Sequence, residues 1–202
     1  MNYEDVQKVS NAAKAKSNLV NTNFFKYFIR AVMAGFFIDV AMIYSNVVGN
    51  VFSKTMPEWG KFVGALVFSI AVLLISFVGG ELFTGNNMVM AFGAYDKQVS
   101  WKEAGKVWGV SYLGNFVGCA ILALLFVGAG ASGTADYFAG LISACLVGSE
   151  MCIRDSFVTA YCLVPGLSLG AMVKSMVVVT LGNMVGGALL LAWPLRKMSA
   201  DK

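Results

Sequence analysis

Val78-Gly79-Gly80-Glu81-Leu82-Phe83-Thr84-Gly85-Asn86-Asn87 sets an acid, a hydroxyl and two amides among glycines, inside an apolar segment that runs from about Lys61 to Ala91. That segment is longer than the ~20 residues a membrane span needs. A helix does not easily stay regular through Gly79-Gly80 and Gly85-Asn86-Asn87. Irregular backbone at membrane depth is tolerated only where protein or a water-filled cavity covers it. A broken helix presents free N–H groups and the positive end of a dipole, which suit a small anion. The reading is a membrane span broken at Gly79, Gly80, Glu81 and Gly85, with the break facing a pore.

The rest of the chain supports a membrane setting. Of its 202 residues 58% are apolar and 13% charged, against about 25% charged in a soluble domain. A globular core of this length could not absorb that much apolar surface, so the bilayer is the expected solvent. The 22 glycines, against 3 prolines, suit close helix contacts in lipid. The net charge of +4 is scattered, which speaks against nucleic acid as a partner. Cys119, Cys145, Cys152 and Cys162 form no CxxC pair, so neither a metal nor a redox site is expected. The chain has no histidine, which argues against a haem-anchoring subunit and against His-based zinc. No nucleophile–base pair stands out, so neither an enzyme nor a cofactor is expected.

Residues 1–23 lack the apolar core of a signal peptide. They form a candidate amphipathic helix, with Val6, Val9, Ala13 and Val20 on one face, expected on the membrane surface. Spans are expected at about Tyr27–Val48, Lys61–Ala91, Val107–Ala129 and Ala171–Trp193. Lys8, Lys14, Lys16, Lys26 and Arg30 precede the first, Lys97, Lys102 and Lys106 lie between the second and third, and Arg196, Lys197 and Lys202 follow the last. These groups predict both termini in the cytoplasm. Trp101, Trp108 and Trp193 read as interfacial anchors, and Lys174 as a residue that snorkels outward.

Leu113-Gly114-Asn115-Phe116-Val117-Gly118 recurs as Leu181-Gly182-Asn183-Met184-Val185-Gly186, with Val110, Ala120 and Leu122 matching Val178, Ala188 and Leu190 at the same offset. Given the expected topology, the two copies cross the membrane in opposite directions, the mark of an inverted repeat. The alternative is a pair of unrelated GxxxG packing motifs. An inverted repeat also predicts a second broken helix, and the chain has no segment that matches one.

Leu146-Val147-Gly148-Ser149-Glu150-Met151-Cys152-Ile153-Arg154-Asp155-Ser156 places Glu, Arg and Asp in apolar surroundings. It resembles the translation of a transposase-based sequencing adapter. Residues 145–156 are therefore read as an artefact that joins two distant parts of one reading frame. The organisation expected is residues 1–140 as an N-terminal helix and a first three-helix repeat, 141–164 as the junction, and 165–202 as the last span with its tail.

Val78 to Gly85 resembles the first signature of the formate/nitrite transporter family. The resemblance runs on through Ser100-Trp101 and Leu113 to Gly118, and resumes in Val178 to Gly187, which is similar to the family's sixth helix. It covers roughly residues 20–140 and 165–198. It implies an all-α, aquaporin-like inverted-repeat bundle, truncated in the second repeat, since the family has six spans and its fourth and fifth have no match here. The lost block includes the family's pore histidine. The resemblance further implies a pentamer in the bacterial-type inner membrane, passing formate, nitrite or hydrosulfide, with a proton-coupled step. It assigns Thr84 as the pore hydroxyl, Leu82 and Phe68 to the inner and outer constrictions, Val72 to a wider slit, and Asn86 to the pore. It makes Glu81 an acceptor of backbone N–H bonds around the break.

Two other readings stand beside it. One is an aquaporin-like channel for neutral solutes, although only Asn86-Asn87 approaches an Asn-Pro-Ala motif. The other is a membrane assembly subunit that transports nothing. Asp39, an acid at membrane depth, is either functional or makes an inter-helix hydrogen bond or an inter-subunit contact.

Overall fold

The computed structural model describes residues 3–129 and 169–198, and every element within them is helical. The expected junction at 141–164, with Cys145, Cys152 and Cys162, lies outside the described residues.

α1 spans Tyr3–Thr22 and α2 Phe24–Thr55. Asn23 separates them, and its side-chain oxygen accepts the Lys26 N–H at 3.0 Å, an N-cap that starts α2. α3 (Pro57–Phe68) begins on a proline, which suits the first helical turn. α3 returns antiparallel to α2, with Ser45 Oγ donating to the Gly64 carbonyl at 2.6 Å. Ser69 alone separates α3 from α4 (Ile70–Val78). After a short break come α5 (Phe83–Tyr95) and α6 (Trp101–Gly128). α7 (Leu169–Val185) runs into a π-helical stretch, Gly186–Ala192, and then α8 (Trp193–Met198). Among the described residues, Phe24–Thr55, Glu58–Val78, Trp101–Phe126 and Val177–Met198 are long and apolar enough to cross a membrane.

The first and third spans start earlier than the hydropathy suggested, at Phe24 and Trp101 rather than Tyr27 and Val107. Helix continues into the more polar flanks because Asn23 and Ser100 supply caps there: the Ser100 hydroxyl accepts the Glu103 N–H, and the Glu103 carboxylate accepts the Ser100 N–H.

α2 and α6 form the tightest pair. A Cβ on Gly35 would lie 2.0 Å from the Asn115 carbonyl oxygen, and one on Gly118 would lie 2.0 Å from that of Val32. Backbone therefore meets backbone, the arrangement small residues permit in membrane helices.

α1 bears out its apolar face but not its expected place. Val6, Ser10, Ala13, Ser17 and Val20, spaced at alternating steps of four and three, are all buried. They pack against protein: Ala13 and Val20 join Met90 and Ala94 of α5 and Ala104 and Val107 of α6. The stripe that suits a lipid surface serves equally well against two helices, so the pattern alone could not distinguish them.

Candidate functional site

The break occupies four residues, Gly79 to Leu82. Its first half is a Schellman ending of α4: the Gly80 N–H returns to the Ile75 carbonyl at 2.8 Å and the Gly79 N–H to that of Ser76 at 3.3 Å. This motif needs a left-handed residue, and Gly79 adopts φ 67°, ψ 41° without steric cost. The chain then extends through Leu82 (φ −87°, ψ 128°) before α5 begins at Phe83. The break is thus shorter than expected. Gly85 lies within the first turn of α5, where ordinary helix geometry already leaves amides without intrahelical acceptors, so it needs no distortion.

Irregular backbone buried in a bundle must find partners from other elements. Here α2 and α6 provide them. The Glu81 N–H donates to the Arg30 carbonyl at 3.1 Å. Asn115 of α6, fully buried, does more. Its Nδ2 donates to the Glu81 carbonyl (2.9 Å) and to the Ala31 carbonyl (2.7 Å), while its Oδ1 accepts the Phe83 N–H (2.8 Å). One side-chain amide therefore satisfies main chain on both sides of Leu82 and ties the break to α2. Asn115 was read as part of a packing motif; it is also the clamp of the break. Its neighbour Gly114 fits the packing reading, since a Cβ there would lie 2.4 Å from that of Ala31.

The Glu81 carboxylate is also buried. Its Oε2 pairs with the Lys16 ammonium of α1 and accepts the Tyr27 hydroxyl at 3.3 Å. Tyr27 Oη in turn accepts from Asn86 Nδ2 at 2.9 Å. Charged and polar groups from α1, α2 and α5 thereby converge behind the break. Neither Lys16 nor Tyr27 was among the predicted site residues. Lys16 lies 65 positions from Glu81, and no local pattern joins them.

The predicted pore residues divide. Phe68 and Leu82 come together, both packed on an apolar group formed by Ala34, Ile38, Ala41, Ala71 and Ile75. Val72 stands apart on the exposed face of α4. Thr84 is half-buried at the start of α5, and Gly85 is exposed, with open space around a would-be Cβ. Asn86 is buried among the described residues, with its side chain on Tyr27 and its carbonyl accepting the Trp108 indole N–H at 3.0 Å. Trp108, expected as an interfacial anchor, is accordingly a partner of α5. Trp101 and Trp193 are exposed. Asp39 is fully buried in α2.

The second copy of the repeat motif sits differently. Around Gly182 and Gly186 nothing in the described structure comes within 4 Å of a would-be Cβ, so neither packs as Gly114 and Gly118 do. Gly187 makes the close approach instead: a Cβ there would lie 2.9 Å from that of Asn87. Asn87 is fully buried, and among the described residues neither of its amide atoms has a hydrogen-bond partner.

The family model described as formate/nitrite transporter matches residues 3–146. The chain is 30% identical over 130 residues to the transporter YwcJ of Bacillus subtilis, covering 64% of this chain and 51% of that protein. It is 30% identical over 139 residues to the formate channel FocA of Escherichia coli (68% and 47%) and 30% identical over 126 residues to the nitrite transporter NirC of Escherichia coli (61% and 44%). The chain thus spans about half the length of these relatives. A solved structure described as an FNT family ion channel superposes with a TM-score of 0.78 at 19% identity, covering 97% of this chain and 99% of that one. This likeness shows the fold, the aquaporin-like helical bundle of such channels.

Proposed function

The chain belongs to the formate/nitrite transporter family, and from that premise we propose that it carries the first repeat and closing helix of a channel for small monovalent anions such as formate, nitrite or hydrosulfide. The break between α4 and α5 carries this reading. Its irregular backbone is tied to α2 and α6 through Asn115 and the Arg30 carbonyl. The first turn of α5 then offers main-chain N–H groups and a positive dipole end to a passing solute.

In this reading the Thr84 hydroxyl hydrogen-bonds the anion, while Leu82 and Phe68 form apolar constrictions and Val72 widens the slit. Apolar constrictions penalise a bare ion and favour a neutral or transiently protonated one, so transport is coupled to a proton. Both termini lie on the cytoplasmic side of a bacterial-type plasma membrane. Five copies assemble, each with its own pore, and the protein is no enzyme.

Residues 141–164 stand as an artefactual junction in place of the family's fourth and fifth helices. The match to the family model ends at residue 146, where the adapter-like stretch begins. Without those helices one wall of each pore is missing, and exposed polar backbone costs several kcal/mol for each unsatisfied group. The test is anion flux into proteoliposomes, for the chain as written and for the product of the source gene resequenced across 145–156. The complete product takes up formate or hydrosulfide selectively, and the chain as written takes up little. Selective flux through the chain as written would refute the junction reading, and no flux through either would refute the channel reading.

A further inference from the structure

We propose that Lys16 of α1 is the charge-compensating residue of the break, cancelling Glu81 so that an anion meets a mouth without net negative charge. The inference rests on the anion-channel reading above.

The charges around the break lead there. A helix N-terminus carries roughly +0.5 of a charge and a C-terminus roughly −0.5, so the facing ends of α4 and α5 nearly cancel. Glu81 then decides the sign. Its carboxylate is buried immediately before α5 and by itself would repel the solute that the α5 amides attract. Among the described residues the cation paired with it is Lys16.

Lys16 does not arrive by chance. Val6, Ala13 and Val20 seat α1 on the bundle. Two hydrogen bonds fix the rotation of α1: Ser10 Oγ donates to Asp96 Oδ2 at 2.8 Å, and Ser17 Oγ donates to Glu103 Oε1 at 2.9 Å. Tyr27 holds the other side of the same Glu81 oxygen. A buried ion pair is weak grounds for stability, because desolvation of both charges offsets their attraction. What this pair does change is the potential at the start of α5. An uncompensated charge in a partly buried site alters the local concentration of a small ion roughly tenfold or more.

The test reads that potential directly. A cysteine replaces Gly85, which is exposed and has room for a side chain, in a chain whose other cysteines are changed to serine. The rates of its reaction with an anionic sulfonate-bearing and a cationic trimethylammonium-bearing methanethiosulfonate are compared in the otherwise unchanged background and in K16Q, E81Q and the double variant. K16Q shifts the rate ratio toward the cationic reagent roughly tenfold. E81Q shifts it the other way, and the double variant returns close to the starting ratio. An unchanged ratio in K16Q, or a double variant that behaves like K16Q, overturns the proposal. The outcome is separable from the channel reading: a chain with this charge signature but without anion flux in its complete form keeps the compensation and loses the channel.

Discussion

Two helices of this protein carry the same motif and use it differently. In α6, Gly114 and Gly118 lie against α2, and the Asn115 amide between them completes the hydrogen bonding of a broken helix. In the last span no described residue comes within 4 Å of a would-be Cβ on Gly182 or Gly186, Asn183 is only half-buried, and the helix widens into π turns from Gly186. A buried side-chain amide amid small residues is worth keeping where main chain nearby lacks partners. Where the described structure offers no such main chain, the same letters are only a smooth helix face. The motif is thus a socket, and its energetic value depends on what fills it.

The most severe test of that contrast replaces each asparagine with leucine, similar in size but without the amide. Asn115→Leu strands the Glu81 carbonyl and the Phe83 N–H, while the Ala31 carbonyl keeps its bond within α2; at about 1–3 kcal/mol for each stranded buried group it costs about 2 kcal/mol or more. Asn183→Leu in the same chain costs below about 0.5 kcal/mol. Unfolding in mixed detergent micelles, titrated with dodecyl sulfate, measures both. Equal losses would mean that the two sockets are equivalent and the contrast is wrong.

The glycines give a smaller effect in the same direction. Gly118→Ala drives a methyl group into the Val32 carbonyl and parts α2 from α6, at about 1–3 kcal/mol. Gly182→Ala is neutral or slightly stabilising, since alanine is the better helix former by about 1 kcal/mol. Gly79→Ala forces a side chain into a left-handed backbone, at about 1–2 kcal/mol, and the same titration resolves it. Among the variants expected to destabilise the region of the break, the smallest loss comes from Ser17→Ala, which removes one hydrogen bond to Glu103 and costs about 1 kcal/mol. If it proves as costly as Asn115→Leu, the anchoring of α1 rather than the clamp dominates the stability of the break.

What could be read from the sequence follows from how local each determinant is. The break was legible because Gly79-Gly80 disfavours a regular helix and Glu81 is an acid at membrane depth. Its end was misplaced at Gly85 because a glycine in a helix's first turn resembles one that ends a helix. The α1 stripe was legible but not its neighbour, since an apolar face does not reveal whether lipid or protein covers it. Asn115 drew notice through its repeat, yet its partners Ala31, Glu81 and Phe83 lie 84, 34 and 32 positions away. The Lys16–Glu81 pair and the Tyr27–Asn86 bond depend wholly on tertiary contact, and no spacing rule connects them.

The central claim is that the break lies on the route of the anion. It is tested most directly with a cysteine at Thr84, in the complete product of the resequenced gene reconstituted into liposomes. Reaction with a small anionic thiol reagent is predicted to stop formate flux, and excess formate to slow that reaction. A fully labelled protein that conducts as before, or labelling indifferent to formate, would contradict the account.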